Sequence, residues 1–482
     1  MALPTRVCCD VSSPAPLGVF AVNWGAARTI AAFGLMSLVL SGCFAAVELR
    51  SPSTRQANSL QNLPPPKTFG DTTPLPPQRA NSDIARDFLD LHFKLEGGTT
   101  LPVLTRFEGP ITLRLTGSPV PASLQRDLSA LLGRLKQEAG VDIQHVGSGI
   151  PAQITLQSVS GAAIRRVLPK AACFVVPNVS SLSELRRKRR SPDTDWSQLR
   201  QRKRLAIFVP NDASPQELRD CLHEELAQAI GPLNDLYRLP DSVFNDDNVH
   251  TVLTGFDMLI LKATYAPELR TGMDRAEVAA RLPAILARLN PDGELIPPLP
   301  LPETPAAWSA AVERALGPGT PFIARKRAAN EAVKLAHRLG WRDHRRAQSH
   351  FILGRLIQAD TPDLARRHFE AAMTVLRALP GSELHQAVIR PSLAADDITR
   401  GNGERALQRI TPVLPVAMRH ENAALLASAM LLQAEALALM GQYASANSVR
   451  LDSLGWARYG FGEQWALQSQ LRQMAQRRPS GE

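Results

Sequence analysis

The stretch CLHEELAQAIGPLND, residues 221–235, contains the second half of a helix whose two ends are marked in the sequence. Ser214, Pro215 and Glu217 predict its start. Serine caps a helix N-terminus, proline is favoured at the first helical position, and glutamate three residues after the cap completes a capping box. Gly231 predicts its end, because glycine commonly follows the last helical turn. The sequence therefore predicts a helix that begins after Ser214 and ends near Gly231.

The polar residues of this helix have a spacing that predicts a cluster. Glu224 and Gln228 are four positions apart, so their side chains project from the same helical face. A chain reversal at Gly231 would return Asn234 to their side. Glu225 would then be placed to act on a bound water, the role of a glutamate in metal-assisted hydrolysis. We predict a metal or polar cluster of Glu224, Gln228 and Asn234, with Glu225 as the catalytic base.

The same spacing resembles the metzincin signature HExxHxxGxxH, in which three histidines bind zinc. Glu224, Gln228 and Asn234 stand where those histidines belong. Glu225 keeps the position of the general base, and Gly231 keeps the turn. The resemblance implies a zincin-like fold with a degenerate ligand set.

The changed ligands alter the expected metal chemistry. One carboxylate and two amides make a poor zinc site, whereas oxygen ligands suit calcium, magnesium or manganese. Zinc is not expected, the cofactor stays unknown, and an oxygen-preferring divalent ion or no ion are the alternatives. His223 and Glu224 also match the first two residues of the zinc-protease signature HExxH. The second histidine of that signature is missing, because residue 227 is alanine. His223 points away from residues 224 and 228, so we predict a packing or surface histidine.

Two later segments extend the resemblance. DSVFNDD at 241–247 lies where metzincins form their methionine turn, with Phe244 in place of methionine, and LTGFDMLILKATY at 253–265 is similar to the closing helix of matrix-type metzincins. With CLHEELAQAIGPLND and the late segment DSLGWARYGFG, they resemble bacterial proteins of the domain of unknown function 2927 family over residues 86–290. This resemblance implies a secreted or lipid-anchored protein with no established activity.

The N-terminus has the features of an export signal. Arg28 precedes the apolar run TIAAFGLMSLVL, which is shorter than the ~20 residues that span a bilayer. The run ends in LSGC at 40–43, similar to a bacterial lipobox. We predict a signal peptide at 1–42, lipidation of Cys43 (the alternative is an ordinary signal peptide), and a cell-envelope protein facing the periplasm. Phe44, where aspartate would favour the inner membrane, favours the outer one.

Two proline-rich stretches predict the domain boundaries. Residues 43–85 are rich in Pro, Ser, Asn and Gln and predict a disordered or extended tether. Residues 291–305 predict a linker. The folded units are therefore expected at 86–290 and 306–478.

The first unit is predicted to be α+β. ITLRLTG at 111–117 alternates as a strand does, residues 123–140 have the pattern of an amphipathic helix, and four short β-like pieces follow, VDIQHV, AQITLQSV, CFVVP and RLAIFVP. The second unit is predicted to be all-α. Gly354, followed by Ala365, Phe369 and Ala372, resembles the small-large-small pattern of a tetratricopeptide repeat, with an irregular helical bundle as the alternative.

The cysteines predict one disulfide. Cys8 and Cys9 leave with the signal peptide and Cys43 takes lipid, so Cys173 and Cys221 remain. An even remainder in an oxidising compartment predicts a bridge, with two buried free thiols as the alternative.

The net charge of +10 is concentrated in residues 186–204, which hold nine basic and two acidic residues. Such a run binds anionic partners or forms a solvated loop. An exported lipoprotein rarely meets nucleic acid, so we expect no nucleic-acid partner and favour lipid headgroups or cell-wall polymers as anionic neighbours. We expect contact with the membrane through the lipid anchor. No Walker A loop, GxSxG elbow or paired CxxC indicates another chemistry.

Three functions fit these patterns. The first is a metal-dependent, peptidase-like hydrolase with Glu225 as base. The second is a pseudoenzyme in which the cluster became a hydrogen-bonded core, since Gln and Asn both donate and accept. In the third, the helical unit binds a protein or peptide partner. Whether the chain is an enzyme stays open, and we favour a binding or scaffold module in the envelope.

Overall fold

The computed structural model describes residues 64–70, 75–317 and 319–465. The predicted signal peptide, the lipobox with Cys43, and residues 466–482 lie outside the described residues. Within the described part, an α/β domain is followed by a mostly helical region. No helix in the described ranges is both long and apolar enough to cross a membrane.

The α/β domain is built on a mixed five-stranded sheet of order β2-β1-β3-β5-β4, in which only the edge strand β4 is antiparallel to its neighbour. The strands are β1 (Ile111–Gly117), β2 (Ile143–Val146), β3 (Ile154–Val159), β4 (Phe174–Pro177) and β5 (Leu205–Pro210). All five lie within the segments predicted as strands, so those predictions are confirmed.

Helices cover both faces of the sheet. The first face carries α2 (Ala122–Arg134), continued by a π-helical turn at Leu135–Ala139, and the second carries α3 (Gly161–Arg165) and α4 (Leu182–Lys188). Successive residues of β5 point into the two cores, which is why LAIFVP is apolar without alternation.

The helix that contains CLHEELAQAI is α5 (Pro215–Ile230), on the same face as α2. Three further helices complete the domain: α1 (Asn81–Phe93), α6 (Gly255–Thr264) and α7 (Arg275–Leu289). The helix α1 begins at Asn81, before the predicted domain boundary at residue 86. After a short 3-10 turn at Pro291–Glu294, the chain has no helix or strand until residue 306.

The second region consists of helices in which successive members pack on each other. They are α8 (Ala306–Leu316), α9 (Phe322–Arg338), α10 (His344–Ile357), α11 (Pro362–Arg377), α12 (Glu383–Thr399), α13 (Gly403–Ile410), α14 (Val413–Arg419), α15 (Ala423–Leu439) and α16 (Tyr443–Gly460).

The predicted small-large-small contact lies between α10 and α11. A Cβ on Gly354 would fall 2.6 Å from the ring of Phe369, so only glycine allows this close approach. Ala365, Phe369 and Ala372 are all buried on the same side of α11. The pattern therefore identifies a packed helical hairpin.

Residues 64–70, in the predicted tether, form an extended segment along α16. The backbone N–H of Lys67 donates to the carbonyl of Gly455 at 3.0 Å, and the ring centroids of Phe69 and Trp456 are 4.8 Å apart. Gly455 leaves room for this segment, because a Cβ there would lie 3.0 Å from the Lys67 side chain. This part of the tether is packed on the helical region.

Candidate functional site

The ends of α5 lie where the sequence predicts them. The Ser214 hydroxyl accepts from the Glu217 N–H at 3.2 Å, and the Glu217 carboxylate accepts from the Ser214 N–H at 2.8 Å. The helix ends at Ile230, followed by Gly231. A Cβ on Gly231 would lie 2.7 Å from the Leu261 side chain, so glycine allows α6 to approach the end of α5.

The predicted cluster residues are buried in the core. Glu224 is 5% exposed, Glu225 1%, Gln228 2% and Asn234 4%. The Gln228 amide donates a long hydrogen bond of 3.4 Å to a carboxylate oxygen of Asp235. The chain reversal after Gly231 therefore brings Asp235 to Gln228.

Asn234 binds the C-terminus of α1. Its side-chain N–H donates to the carbonyl of Asp90 at 2.9 Å, and the backbone N–H of Leu233 donates to the carbonyl of Leu91 at 2.9 Å. Both carbonyls belong to the last turn of α1, where backbone acceptors lack intrahelical partners. The Asn234 segment is thus a C-terminal cap for α1.

Arg202 and Tyr265 cap the C-terminus of α5 by donating to its last backbone carbonyls. The Arg202 guanidinium donates to the carbonyl of Gln228 at 2.6 Å and to that of Gly231, and the Tyr265 hydroxyl donates to the carbonyl of Ile230 at 2.9 Å. Burial lowers the pKa of Arg202 to about 10 and raises the pKa of Tyr265 to about 12.

Arg202 is the important residue that the sequence analysis missed. It lies in the basic run 186–204, yet it is only 3% exposed and its guanidinium carbon lies 5.5 Å from the centroid of Trp196. Other members of the run, such as Arg187 and Arg190, are exposed. Trp196 and Leu199, two large apolar residues in a mostly polar run, are the signal that part of it turns inward, and both are buried.

His223 is a packing residue, as predicted. Its Nδ1 accepts from the backbone N–H of Leu253 at 3.1 Å, and the ring is buried. Burial, with the charges of Arg134 and Arg219, holds its pKa well below the usual range. The imidazole is therefore neutral and structural.

The predicted disulfide is confirmed. Cys173 and Cys221 are bonded, with their Cα atoms 5.9 Å apart. Cys173 directly precedes β4 and Cys221 lies in α5. The bridge therefore ties the antiparallel edge of the sheet to the helix beneath it.

The turn that follows α5 is held by a buried carboxylate. Asp257 accepts from the Ser242 hydroxyl at 2.5 Å, from the Val243 N–H at 3.1 Å and from the Thr254 N–H at 2.8 Å. Phe244, in the predicted methionine-turn segment, is fully buried. Burial raises the pKa of Asp257 to about 7, against these hydrogen bonds, which favour its ionised form.

The helical region covers the N-terminal half of α5. The Gln216 amide donates to the Asn422 side chain at 3.2 Å, and its carbonyl accepts from the Ala424 N–H at 2.9 Å. Arg219 forms an ion pair with Glu421 at 3.0 Å. This half of the helix is therefore a domain interface.

Four histidines meet at the boundary between the two regions, and we call them the histidine junction: His250, His344, His385 and His420. Their ring centroids are 5.7 to 6.2 Å apart in successive pairs. Asp247 lies 3.2 Å from Nε2 of His385. The sequence gives no hint of this junction, because its members are spread over 171 positions that only the fold brings together.

Most of the junction is neutral at pH 7. Burial, followed by the charge of a neighbouring histidine, lowers the pKa of His250, His344 and His420 to about 4. His344 contacts the carbonyl of Tyr237 at 2.6 Å and is thereby held against the α/β domain. Across the described residues, no group of three or more His, Cys, Asp or Glu side chains is arranged to hold a metal ion.

Comparison with known proteins gives one result for the α/β domain. Residues 81–284 match the model of the family described as "Protein of unknown function (DUF2927)". No curated protein matches the chain. The match begins at the first residue of α1 and ends within α7, so it covers the sheet, α5 and the turn after it. The α/β domain is therefore similar to this family, and the match does not extend into the helical region.

Proposed function

We propose that this protein is an envelope lipoprotein whose α/β domain is a degenerate metzincin-like body used for binding or scaffolding and not for hydrolysis. The observation that carries the proposal is the use of the predicted ligand positions. Asn234 caps α1, Gln228 bonds Asp235, and Arg202 closes the end of α5. These are the contacts of a packed core.

The order of elements supports a metzincin-like ancestry. Four parallel strands and one antiparallel edge strand precede a long helix, a turn and a second helix, α6. This is the order that the resemblance of α5, the 241–247 segment and the 253–265 segment implies. The capping box at the start of α5 and the glycine at its end keep the expected helix geometry.

The burial of Glu225 argues against catalysis. A general base must approach the proton that it removes within roughly 2.6–3.2 Å, or through one water. Glu225 is 1% exposed, and its helix packs against β4, β5, α2 and α16. A substrate would reach it only after the core has opened.

The helical region supports a binding role. The hairpin of α10 and α11, with glycine against phenylalanine, has the contact that the tetratricopeptide-like pattern implies, and successive helices continue the stack. Stacked helical hairpins present extended surfaces to protein or peptide partners. The lipobox at residues 40–43 would anchor this body to the membrane, with the outer membrane favoured by Phe44.

A peptide-hydrolysis assay tests the proposal. The full mature protein is incubated with a fluorogenic peptide library in the presence of calcium, manganese or zinc, in parallel with Glu225→Gln. As a matched control, Glu404→Gln changes an exposed helical glutamate. We expect no turnover that differs between wild type and Glu225→Gln. Turnover that Glu225→Gln abolishes and Glu404→Gln retains would establish the metal-dependent hydrolase instead.

A further inference from the structure

A cleft of about 490 Å³ lies between the α/β domain and the helical region. It is lined from one side by α3, the β5–α5 loop and the start of α5, and from the other by α10, α12 and α15. Ligands of α/β proteins commonly bind at domain interfaces and beyond the carboxyl ends of parallel strands, and this cleft has both positions. None of Glu224, Glu225, Gln228 or Asn234 lines it.

The helical wall contributes one cation, the partly buried Arg355. Its guanidinium carbon lies 5.9 Å from the ring centroid of Phe351, one helical turn away. Among the described residues, no carboxylate forms an ion pair with Arg355, and burial lowers its pKa without a neighbouring acid to offset it. A partly buried charge without a counter-ion is costly, and a carboxylate can satisfy the planar guanidinium with two hydrogen bonds.

The opposite wall is acidic. Asp212, Glu217 and Asp220 all line the cleft from the α/β domain. Two of them are held by backbone donors: the Asp212 carboxylate accepts from the Gly161 N–H, and Glu217 from the Ser214 N–H, each at 2.8 Å. The wall also includes the exposed Arg165, but its carboxylates predominate.

Between the charged groups, the cleft has polar groups that suit amides. Ser392 and Ser428 line it from α12 and α15, together with Asn422, whose side-chain oxygen already accepts from Gln216. Hydroxyl and amide side chains both donate and accept hydrogen bonds, as a peptide backbone requires. The volume lies within the range of about 300–1,000 Å³ that is usual for small-ligand sites.

We propose that this cleft binds a short peptide with free ends, its carboxylate on Arg355 and its amino group towards the acidic wall. The inference rests on the proposed binding function and specifies the ligand class and the site. The two ends of such a peptide are oppositely charged, as are the two walls. A ligand of one charge would match only one wall.

Equilibrium dialysis of the full mature protein tests this site. The probes are a pool of random tripeptides with free ends, the same pool as C-terminal amides, and the same pool N-acetylated, each quantified by mass spectrometry. We expect the free peptides to be retained at least about ten-fold more strongly than either blocked pool. Arg355→Gln should abolish the preference for the free carboxylate. Arg367→Gln removes an exposed charge on α11 and should change nothing.

Two results for the wild type would overturn the inference: retention of the free pool equal to that of either blocked pool, or no retention of any pool. An unchanged preference for the free carboxylate in Arg355→Gln would overturn it as well. The same mass spectra record any cleavage products. Hydrolysis of the peptides, which would contradict the proposed non-catalytic function, is therefore distinguished from a failure of the peptides to bind. A melting curve verifies that each variant is folded.

Discussion

Asn234 occupies a position whose spacing predicts a metal ligand, and its amide instead binds the carbonyl of Asp90. The spacing fixes where the side chain returns after the turn at Gly231. The spacing does not determine which group Asn234 contacts, because α1 comes from a segment more than a hundred residues earlier. The same ambiguity applies to Arg202. In the sequence it belongs to a basic run, and in the fold it donates to backbone carbonyls at the C-terminus of α5.

Replacing Asn234 by aspartate distinguishes the two roles. Asn234→Asp removes the N–H donor and sets a carboxylate against a buried carbonyl, so we expect the free energy of unfolding to fall by about 2 kcal/mol. Urea denaturation measures the loss, with Asn447→Asp on the helical region as a control for the chemical change. If Asn234 were a metal ligand, Asp would strengthen an oxygen-rich site, and calcium or manganese would raise the melting temperature of the variant above that of wild type.

Arg202 is expected to hold the C-terminus of α5 through its guanidinium group. Lysine cannot reproduce the planar fork that reaches the carbonyls of Gln228 and Gly231 together. We expect Arg202→Lys to lower the free energy of unfolding by about 2 kcal/mol or more, because buried acceptors lose their donors. Lys203→Gln, at the exposed neighbouring residue, should stay within about 0.5 kcal/mol of wild type. If Arg202→Lys and Lys203→Gln both change the free energy of unfolding in urea by the same small amount, Arg202 does not stabilise the C-terminus of α5.

At the scale of elements, the sequence predicts a large part of the fold. The five strands follow from short apolar and alternating runs, and α5 from a cap, a proline and a glycine. The partners of the residues in the predicted metal or polar cluster do not follow from such local patterns. Whether Glu224 and Gln228 meet an ion, a water or a protein group depends on α1, α6 and Arg202, and these contacts are set by tertiary packing that no local pattern specifies.

The disulfide is the covalent link between two of these elements. It joins the start of β4 to α5 across a sequence separation of 48 residues. Closing a loop of this size removes conformational freedom from the unfolded chain, which corresponds to about 2–4 kcal/mol. We expect the double change Cys173→Ala and Cys221→Ala to lower the free energy of unfolding by this amount, measured in urea. Dithiothreitol should destabilise the wild type similarly and leave the double variant unaffected; no effect on the wild type would contradict the bridge.

At the scale of the whole molecule, the two regions meet through charged, polar and aromatic contacts on several elements. Tyr459 of α16 donates to Asp127 of α2 at 2.8 Å, and Arg219 of α5 pairs with Glu421. Residues 64–70 lie along α16, and the guanidinium carbon of Arg79 lies 4.8 Å from the ring centroid of Phe256 in α6. The N-terminal segment therefore contacts both regions before the first helix begins.

The histidine junction makes this assembly sensitive to acid. His250, His344 and His420 have pKa values of about 4 in the folded protein, below the unfolded value of about 6.5. The unfolded chain therefore binds more protons between these values, and stability that is complete above pH 6.5 is lost as the pH falls towards 4. Asp257 acts in the opposite sense, because its pKa is raised to about 7 and its contribution is lost as the pH rises from 3.8.

A single variant measures the contribution of the junction. His344→Gln keeps a donor near the carbonyl of Tyr237 but cannot be protonated. We expect its free energy of unfolding to fall less steeply between pH 7 and pH 4.5 than that of wild type, by about 1–3 kcal/mol over this range. His337→Gln, at an exposed histidine of α9, should follow the wild type. Coincident profiles for wild type and His344→Gln would show that the junction does not govern acid sensitivity.

Metal content shows most directly whether the helix with metzincin-like spacing is part of a structural core. The full mature protein is purified from the periplasm without chelator or immobilised nickel, and its elements are quantified by mass spectrometry beside Glu224→Gln and the exposed control Glu404→Gln. We predict no stoichiometric ion in any of the three proteins. About one ion per chain in wild type and in Glu404→Gln, lost in Glu224→Gln, would contradict the account and establish a working metal site at α5.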